Sequence, residues 1–368
     1  MSKQYNQWTA MWAITRAGLR AIFKSPQAVF FSLFFPIVLI MVFGALTGSR
    51  GISMDIAFDV QSDTANPVYA SLKQIPGLDI NKGSEKDLLD RLQKGRLTAI
   101  INIQKTTDAA GNVKYELHLK STSASQNDLP ILQSILRETL SRAYMPAALA
   151  NAPAEEPIKV EMLGARVYRT IDFYLPGMLG FSLIGSAVFG VSFVFFSLRE
   201  TLVLKRMFAT PVRKGYIVLG ESIARIVFQL AMAVILILFG TYFYHFTLAH
   251  GWITFVELLA LSLLGLVVFI GFGFIISSVA KNQNVIPIYA NLFMFPQYFL
   301  SGTFFPKSLL PQGMQAIIQY LPLTALNDAM RKVSFEGMHL NNVGKEIFIL
   351  LGWCVVAYGI LVRVFKWE

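Results

Sequence analysis

The stretch FYLPGMLGFSLIGSAVFGVSFVFFSL, Phe173 to Leu198, holds no charged side chain and runs straight into Arg199. A helix needs about 20 mainly apolar residues to cross roughly 30 Å of bilayer hydrocarbon, and this run exceeds that. Five other runs read the same way: Ala28 to Leu46, Ile217 to Tyr242, Ile253 to Val279, Val285 to Phe305 and Ile347 to Val362. The last is short, but Glu346 and Arg363 bracket it, and a long basic side chain at a span end reaches back to the interface. The first run is longer than the 7 to 15 residues of a typical signal-peptide core, and no A-x-A site follows it, so it reads as a retained anchor. The expected fold is an all-α membrane bundle of six transmembrane helices with an inserted α+β extracytoplasmic domain.

Composition agrees. The chain is 54% hydrophobic and 15% charged, with 30 Phe, too little polar surface to cover a globule in water. Its single cysteine, Cys354, lies in an apolar run, so no intrachain disulfide or cysteine metal site is available. The net charge of +10 would suit a nucleic-acid binder if the charges formed one patch on a soluble domain. They do not. With both termini inside, the short internal segments carry twelve basic residues, among them Lys3, Arg16, Arg20, Lys24, Arg199, Lys205 and Arg206, against Glu200 and Glu368. The segment from Thr47 to Asp172 balances at fifteen against fifteen, and the remainder at five against five. The whole excess therefore falls on one face, as the positive-inside rule requires of cytoplasmic loops. The basicity reports topology and lipid contact, and no nucleic-acid partner is expected. Trp8, Trp12, Trp252 and Trp367 fall near expected interfaces, where Trp is enriched; Trp353 is the exception.

The chain divides by this reading into four parts. Residues 1–27 hold a cytoplasmic amphipathic helix, Asn6 to Lys24, on which Trp8, Met11, Trp12, Leu19, Ile22 and Phe23 share an arc beside Arg16, Arg20 and Lys24. Such a helix lies flat at the headgroup layer, its basic stripe toward anionic lipid, until Pro26 breaks it. Residues 28–46 form the first span, 47–172 the extracytoplasmic domain, and 173–368 spans two to six. In the domain, Met54 to Val60, Leu97 to Ile103 and Val113 to Lys120 read as strands, with a turn at Asp108 to Asn112. Ser84 to Lys94 and Asp128 to Met145 read as helices, and Asn151 to Pro157 as a linker.

Little in the chain speaks for catalysis. It has no G-x-x-x-x-G-K-[ST] phosphate loop, no H-E-x-x-H and no His/Cys cluster, and no G-x-S-x-G elbow. It reads as a non-enzyme without a metal or cofactor of its own. Glu221 and Arg225 stand four apart near one end of the third span, in the order that favours an ion pair. Asn291 and Gln297 are the polar residues of the fifth span and candidates for a pathway lining. No span carries a charge at its centre, which argues against an ion-coupled carrier with a midplane site.

Two further stretches stand out. Ser197 to Gly215, SLRETLVLKRMFATPVRKG, mixes Leu202, Met207 and Phe208 with Arg199, Lys205 and Arg206 and stops at Thr210-Pro211. It reads as a short amphipathic helix between spans, which a partner protein or lipid headgroups could equally hold. Phe299 to Leu326, FLSGTFFPKSLLPQGMQAIIQYLPLTAL, is broken by Gly302, Pro306, Pro311, Gly313 and Pro322 yet too apolar for a solvated loop. Irregular backbone at membrane depth persists only where protein or a water-lined cavity shelters it, so a re-entrant hairpin at the outer mouth is expected.

At these two stretches the sequence resembles the type-2 permease family of ABC transporters. The matching pieces are RETLVLKRMFATP (Arg199 to Pro211), the L-S-G-x-x-F-P of Leu300 to Pro306, Leu310-Pro311, and the L-P-L-T of Leu321 to Thr324 with Asp328 and Arg331 beyond. The resemblance covers essentially the whole chain, loosely in the domain. It implies that Arg199 to Ala209 is a coupling helix, with Arg199, Glu200, Leu202, Lys205, Arg206, Met207, Phe208, Thr210 and Pro211 at the junction with a separate ABC ATPase subunit, which binds the ATP and Mg. It implies that two permease chains pair, identical or sisters, and that Gly302, Phe305, Pro306, Pro311 and Pro322 belong to an external gate. The setting implied is the bacterial cytoplasmic (inner) membrane, multi-pass with both termini cytoplasmic, where the pair exports a hydrophobic or amphipathic substrate such as a drug, lipid or peptide. Whether a periplasmic adaptor takes part is left open. The competing readings are a membrane-anchored sensor or scaffold whose domain binds a partner, a channel or secondary carrier, and a mechanical ABC machine, which usually has four spans.

Overall fold

A computed structural model of the chain describes residues 6–46, 54–64, 66–75, 78–93, 96–107, 113–122, 125, 129–144, 158–163, 169–203, 206 and 211–364. The expected turn at 108–112, the linker at 151–157, and Lys3, Lys205, Met207, Phe208, Thr210, Lys366, Trp367 and Glu368 lie outside them. In chain order the elements are α1 (Gln7–Phe23), α2 (Pro26–Val29), a π-helical turn (Phe30–Phe34), α3 (Phe35–Leu46), β1 (Met54–Phe58), α4 (Pro67–Leu72), β2 (Leu78–Asn81), α5 (Glu85–Gln93), β3 (Ala99–Thr107), β4 (Val113–Thr122), α6 (Leu129–Tyr144) and β5 (Ile158–Leu163). There follow α7 (Thr170–Glu200), α8 (Lys214–Tyr244), α9 (Trp252–Val279), α10 (Ile286–Leu300), α11 (Gln312–Ile318), α12 (Pro322–Ser334) and α13 (Gly344–Val364). The chain forms two compact units, residues 1–45 with 170–368, and residues 46–169.

The first unit is helical. Among the described residues, four of its helices are long and apolar enough to cross a membrane: Thr170–Glu200, Gly215–Tyr244, Trp252–Val279 and Leu340–Val364. With this the chain is a multi-pass membrane protein. The other two expected spans come out differently. Residues 26–46 are helical throughout but pass through the π turn, and the apolar helix Phe30–Phe43 is shorter than the four. The expected span Val285 to Phe305 is cut to Ile286–Leu300, with Pro296 inside it. Fifteen residues give about 22 Å of helix, short of the hydrocarbon thickness. The cause is local: the chain turns at Gly302, whose φ of +68° is open to glycine at little cost.

The core of this unit is built around α7, which is buried along most of its length. Phe195 meets Phe274 of α9 edge-on with ring centres 4.5 Å apart. Glycines set how close the helices come: a Cβ on Gly273 would stand 3.0 Å from the Ala187 carbonyl, and one on Gly265 would strike Leu326.

Helix α1 starts at Asn6, whose side chain caps the Trp8 and Thr9 amides. Its expected apolar arc divides. Met11, with Thr15 and Gly18, is buried against α8, where the Thr15 hydroxyl donates to the Gly220 carbonyl at 3.0 Å. Trp8 and Trp12 stay 61% and 59% exposed, and Arg16, Arg20 and Lys24 are exposed as well. The sequence wheel pooled two faces because small Thr15 and Gly18, which make the seam with α8, carry little hydrophobic signal.

The second unit is a mixed five-stranded sheet of order β2-β1-β3-β4-β5, antiparallel between β3 and β4 and parallel elsewhere. Ile56, Ile101, Ile103, Leu117 and Leu119 pack with Val68 of α4 and Leu132 and Leu136 of α6. Leu88 and Leu92 of α5 pack with Ala57 and Ile100. The sequence reading reaches β1, β3, β4, α5 and α6; it passes over α4, β2 and β5, which are too short to display a period. A cavity of about 240 Å³ opens beside β3 and β4, lined in part by Asp59, Asn102, Gln104, His118 and Lys120.

Candidate functional site

The apolar, proline-broken segment after α10 folds into short helical pieces keyed to the start of α7. Proline ring closure fixes φ in the helical range and suits the first turn of a helix. Accordingly Pro306 precedes a 3-10 turn at Lys307–Leu309, Pro311 caps α11, and Pro322 opens α12. Arg331 of α12 clips these pieces together. Its guanidinium donates to the Phe173 carbonyl at 3.1 and 3.2 Å and to the Gly302 carbonyl, and lies 4.0 Å above the Phe173 ring. Asp328 pairs with Lys307 and stands 4.0 Å from Arg331. Asn327 donates to the Thr303 hydroxyl at 3.0 Å.

The receiving surface on α7 is glycine. A Cβ on Gly177 would stand 2.7 Å from the Thr303 carbonyl, and one on Gly180 would overlap Asn327 and Leu323. Of the expected gate residues, Gly302 and Pro322 are buried in this joint, Pro306 is half-buried, and Phe305 and Pro311 are exposed. Gln297 is buried too, and its carboxamide accepts from the Leu323 amide at 3.2 Å, tying α10 to the start of α12. Asn291 is half-buried one and a half turns earlier on α10. Trp353, the tryptophan away from the interfaces, donates from its indole to the Tyr320 carbonyl at 2.8 Å and ties α13 to the same segment.

At the far end of α7, 31 residues and so about 46 Å of helix away, the loop toward α8 is held on both flanks. Arg199 and Glu200 are not in a separate helix but close α7. Arg199 lies over the Phe196 ring and donates to the Ala280 carbonyl at 2.9 Å, beyond the end of α9. Leu202, exposed, turns the chain with φ of +58°, and Arg206 is exposed beyond it. On the other flank the Gln7 carboxamide donates to the Pro211 carbonyl at 2.6 Å and accepts from the Arg213 amide at 2.9 Å. Trp8 meets Tyr216 edge-on. Gln7 was invisible in the sequence, because nothing local marks a glutamine that closes on backbone more than two hundred positions away.

Between the two ends, buried Arg225 and half-buried Glu221 of α8 form an ion pair, Nη1 to Oε2 at 2.7 Å, with Nη1 donating also to the Glu221 carbonyl. One turn on, Gln229 donates to Ser182 of α7 at 2.6 Å, and Ser182 donates to the Ser32 carbonyl in the π turn at 2.7 Å. Ser182 and Gln229 escaped the sequence reading, since nothing in the linear chain shows that Gln229, two turns beyond Glu221 on the same face, meets a lone serine of another helix.

The family model described as ABC-2 family transporter protein matches residues 27–363. Nodulation protein J of Rhizobium meliloti (strain 1021) is 28% identical over 190 residues, covering 51% of this chain and 70% of that one. The probable multidrug ABC transporter permease YbhR of Escherichia coli (strain K12) is 25% identical over 153 residues, 42% of this chain and 41% of that one. A second nodulation protein J, from Rhizobium leguminosarum bv. viciae, is 31% identical over 90 residues, 24% and 34% of the two chains. The chain thus spans most of the first relative in these matches and less than half of the others.

Proposed function

This chain belongs to the ABC-2 family of transporter proteins, and from that premise we propose that it is the permease subunit of an exporter driven by a separate ABC ATPase. The observation that carries the reading is the two-sided anchorage of the 199–213 loop. Arg199 ties one flank to the end of α9, and Gln7 ties the other to α1. A load on either flank passes from α7 to α9 through Arg199 and from the start of α8 to α1 through Gln7.

In this reading residues 199–211 meet the ATPase, with Lys205, Arg206, Met207 and Phe208 at the contact, and the ATP and Mg belong to that partner. Two permease chains, identical or sisters, pair in the bacterial cytoplasmic membrane, with both termini and the +10 excess inside. Helices 26–46 and Ile286–Leu300 complete six membrane segments, and the 46–169 unit lies outside. The 299–326 segment, with Gly302, Phe305, Pro306, Pro311 and Pro322, serves as the external gate, and Asn291 faces the pathway. The apolar setting favours a hydrophobic or amphipathic substrate, a drug, lipid or peptide. ATP closure of the partner biases the inward-to-outward equilibrium, and a substrate contributes only through its differential affinity for the two states.

The test is charge reversal at Lys205 and Arg206 in vesicles holding the chain with its ATPase, read as ATP-dependent efflux of an amphipathic dye. Loss of efflux with normal membrane insertion is expected; unchanged efflux removes the coupling assignment. The 240 Å³ cavity beside Asp59 and Lys120 favours a second reading, a sensor whose soluble unit binds a ligand. That reading predicts ligand binding with no ATP-dependent movement of any solute.

A further inference from the structure

On α8, Glu221, Arg225 and Gln229 recur every four residues and so form one stripe. Glu221 lies against Gly18 of α1, and the rest of the stripe faces α7: Gln229 reaches Ser182, and a Cβ on Gly190 would stand 3.7 Å from Arg225 Nε. Ser186, one turn from each of Ser182 and Gly190, lies on the same α7 face between them. The α7 residues opposite Arg225 and Gln229 are therefore small, serine and glycine.

Two of those groups are left over. Arg225 is 6% exposed and Gln229 1% exposed, yet Arg225 Nε and Gln229 Oε1 find no hydrogen-bond partner among the described residues. Both helices are candidate membrane spans, where an unsatisfied polar atom is more costly than in a water-soluble protein. The two are complementary: one is a donor, the other an acceptor, and they are one helical turn apart on one face. The smallest group that satisfies both is a hydroxyl oxygen, which accepts from Arg225 Nε and donates to Gln229 Oε1. A carboxylate satisfies only the arginine, and a hydrocarbon satisfies neither.

We infer that the seam between α7 and α8 at Arg225, Gln229 and Ser186 is a binding site for a hydroxyl group within the membrane-spanning bundle. The hydroxyl comes from water or from the polar head of an uncharged amphipathic substrate; the second source rests on the exporter reading, the first does not. The Ser182 to Ser32 hydrogen bond marks one end of this stretch and the Glu221 to Arg225 pair the other.

Substituted-cysteine reactivity tests this on the full chain in membrane vesicles, without ATP or a partner. In a Cys354→Ser background, Ser186→Cys is exposed to a small methanethiosulfonate ammonium reagent, with Val227→Cys, a nearby position on the exposed face of α8, as the control. The expected result is modification at least tenfold faster at position 186 than at 227, falling to the control rate when Gln229→Leu is added. Gly190→Cys reads the same space if Ser186→Cys fails to insert. Protection by 1-dodecanol but not by dodecane assigns the hydroxyl to an amphipath, and equal reactivity with either assigns it to water. Reactivity at 186 and 190 no greater than at 227 overturns the site. Failure of ATP-driven export would leave this result untouched, so the two ideas fall separately.

Discussion

Arg331 and Phe173, 158 positions apart, are joined twice over: the guanidinium donates to the Phe173 carbonyl and lies 4.0 Å above its ring. The same guanidinium holds Gly302, so a single side chain fixes the broken segment after α10 to the head of α7. Lysine keeps the charge but cannot offer two nitrogens in a fork or a flat face to the ring. Arg331→Lys is expected to cost about 1–3 kcal/mol and to loosen 301–306, read as a lower melting temperature in detergent and faster proteolysis at that segment.

Gly177 and Gly352 differ in what a methyl group would meet. At Gly177 a Cβ meets the Thr303 carbonyl at 2.7 Å, and backbone there cannot swing aside; at Gly352 nothing lies within 4 Å. Gly177→Ala should destabilise by about 1–3 kcal/mol through overpacking. Gly352→Ala should be neutral or up to about 1 kcal/mol more stable from helix propensity. Paired thermal melts of the two variants check the contrast, and equal effects would contradict the close approach of 303 to α7.

The ion pair between half-buried Glu221 and buried Arg225 is worth little as a pair and much as a liability when broken. Glu221→Gln leaves a buried guanidinium without its counter-charge and is expected to cost about 3–5 kcal/mol. Replacing both by Leu and Met removes the two desolvation costs together and should return stability to near that of the parent. Expression level and melting temperature of the single and double variants give the answer.

Gln7 makes exposed hydrogen bonds to Pro211 and Arg213, each worth about 0.5–1.5 kcal/mol. Gln7→Leu should therefore leave the melting temperature within a few degrees of the parent. If the 199–213 loop carries a load, the same substitution should lower ATP-dependent efflux several-fold while ATP hydrolysis continues. Equal losses of hydrolysis and efflux would point instead to failed assembly with the ATPase.

Much of this was legible in the residues. The run 173–198, uncharged and bounded by Arg199, announces a spanning helix because hydrocarbon excludes an unsatisfied backbone, and the alternation around 113–120 announces a half-buried strand. Glu221 and Arg225 could be paired on paper because four residues bring a helix back to the same face. These readings rest on short-range periodicity, which a linear text preserves. What tertiary structure decided is which faces meet. It shortened the 285–305 run at the Gly302 turn, divided the α1 arc between α8 and an exposed aromatic face, and turned Gln297 from a span's polar residue into a tie on α12. It also brought Arg331 to Phe173, Gln7 to Pro211, and Gln229 to Ser182. The first two sit beside close approaches that a Cβ would crowd, at Gly177 and Gly180 and at Gly220, and a glycine in an apolar run does not state which helix it admits.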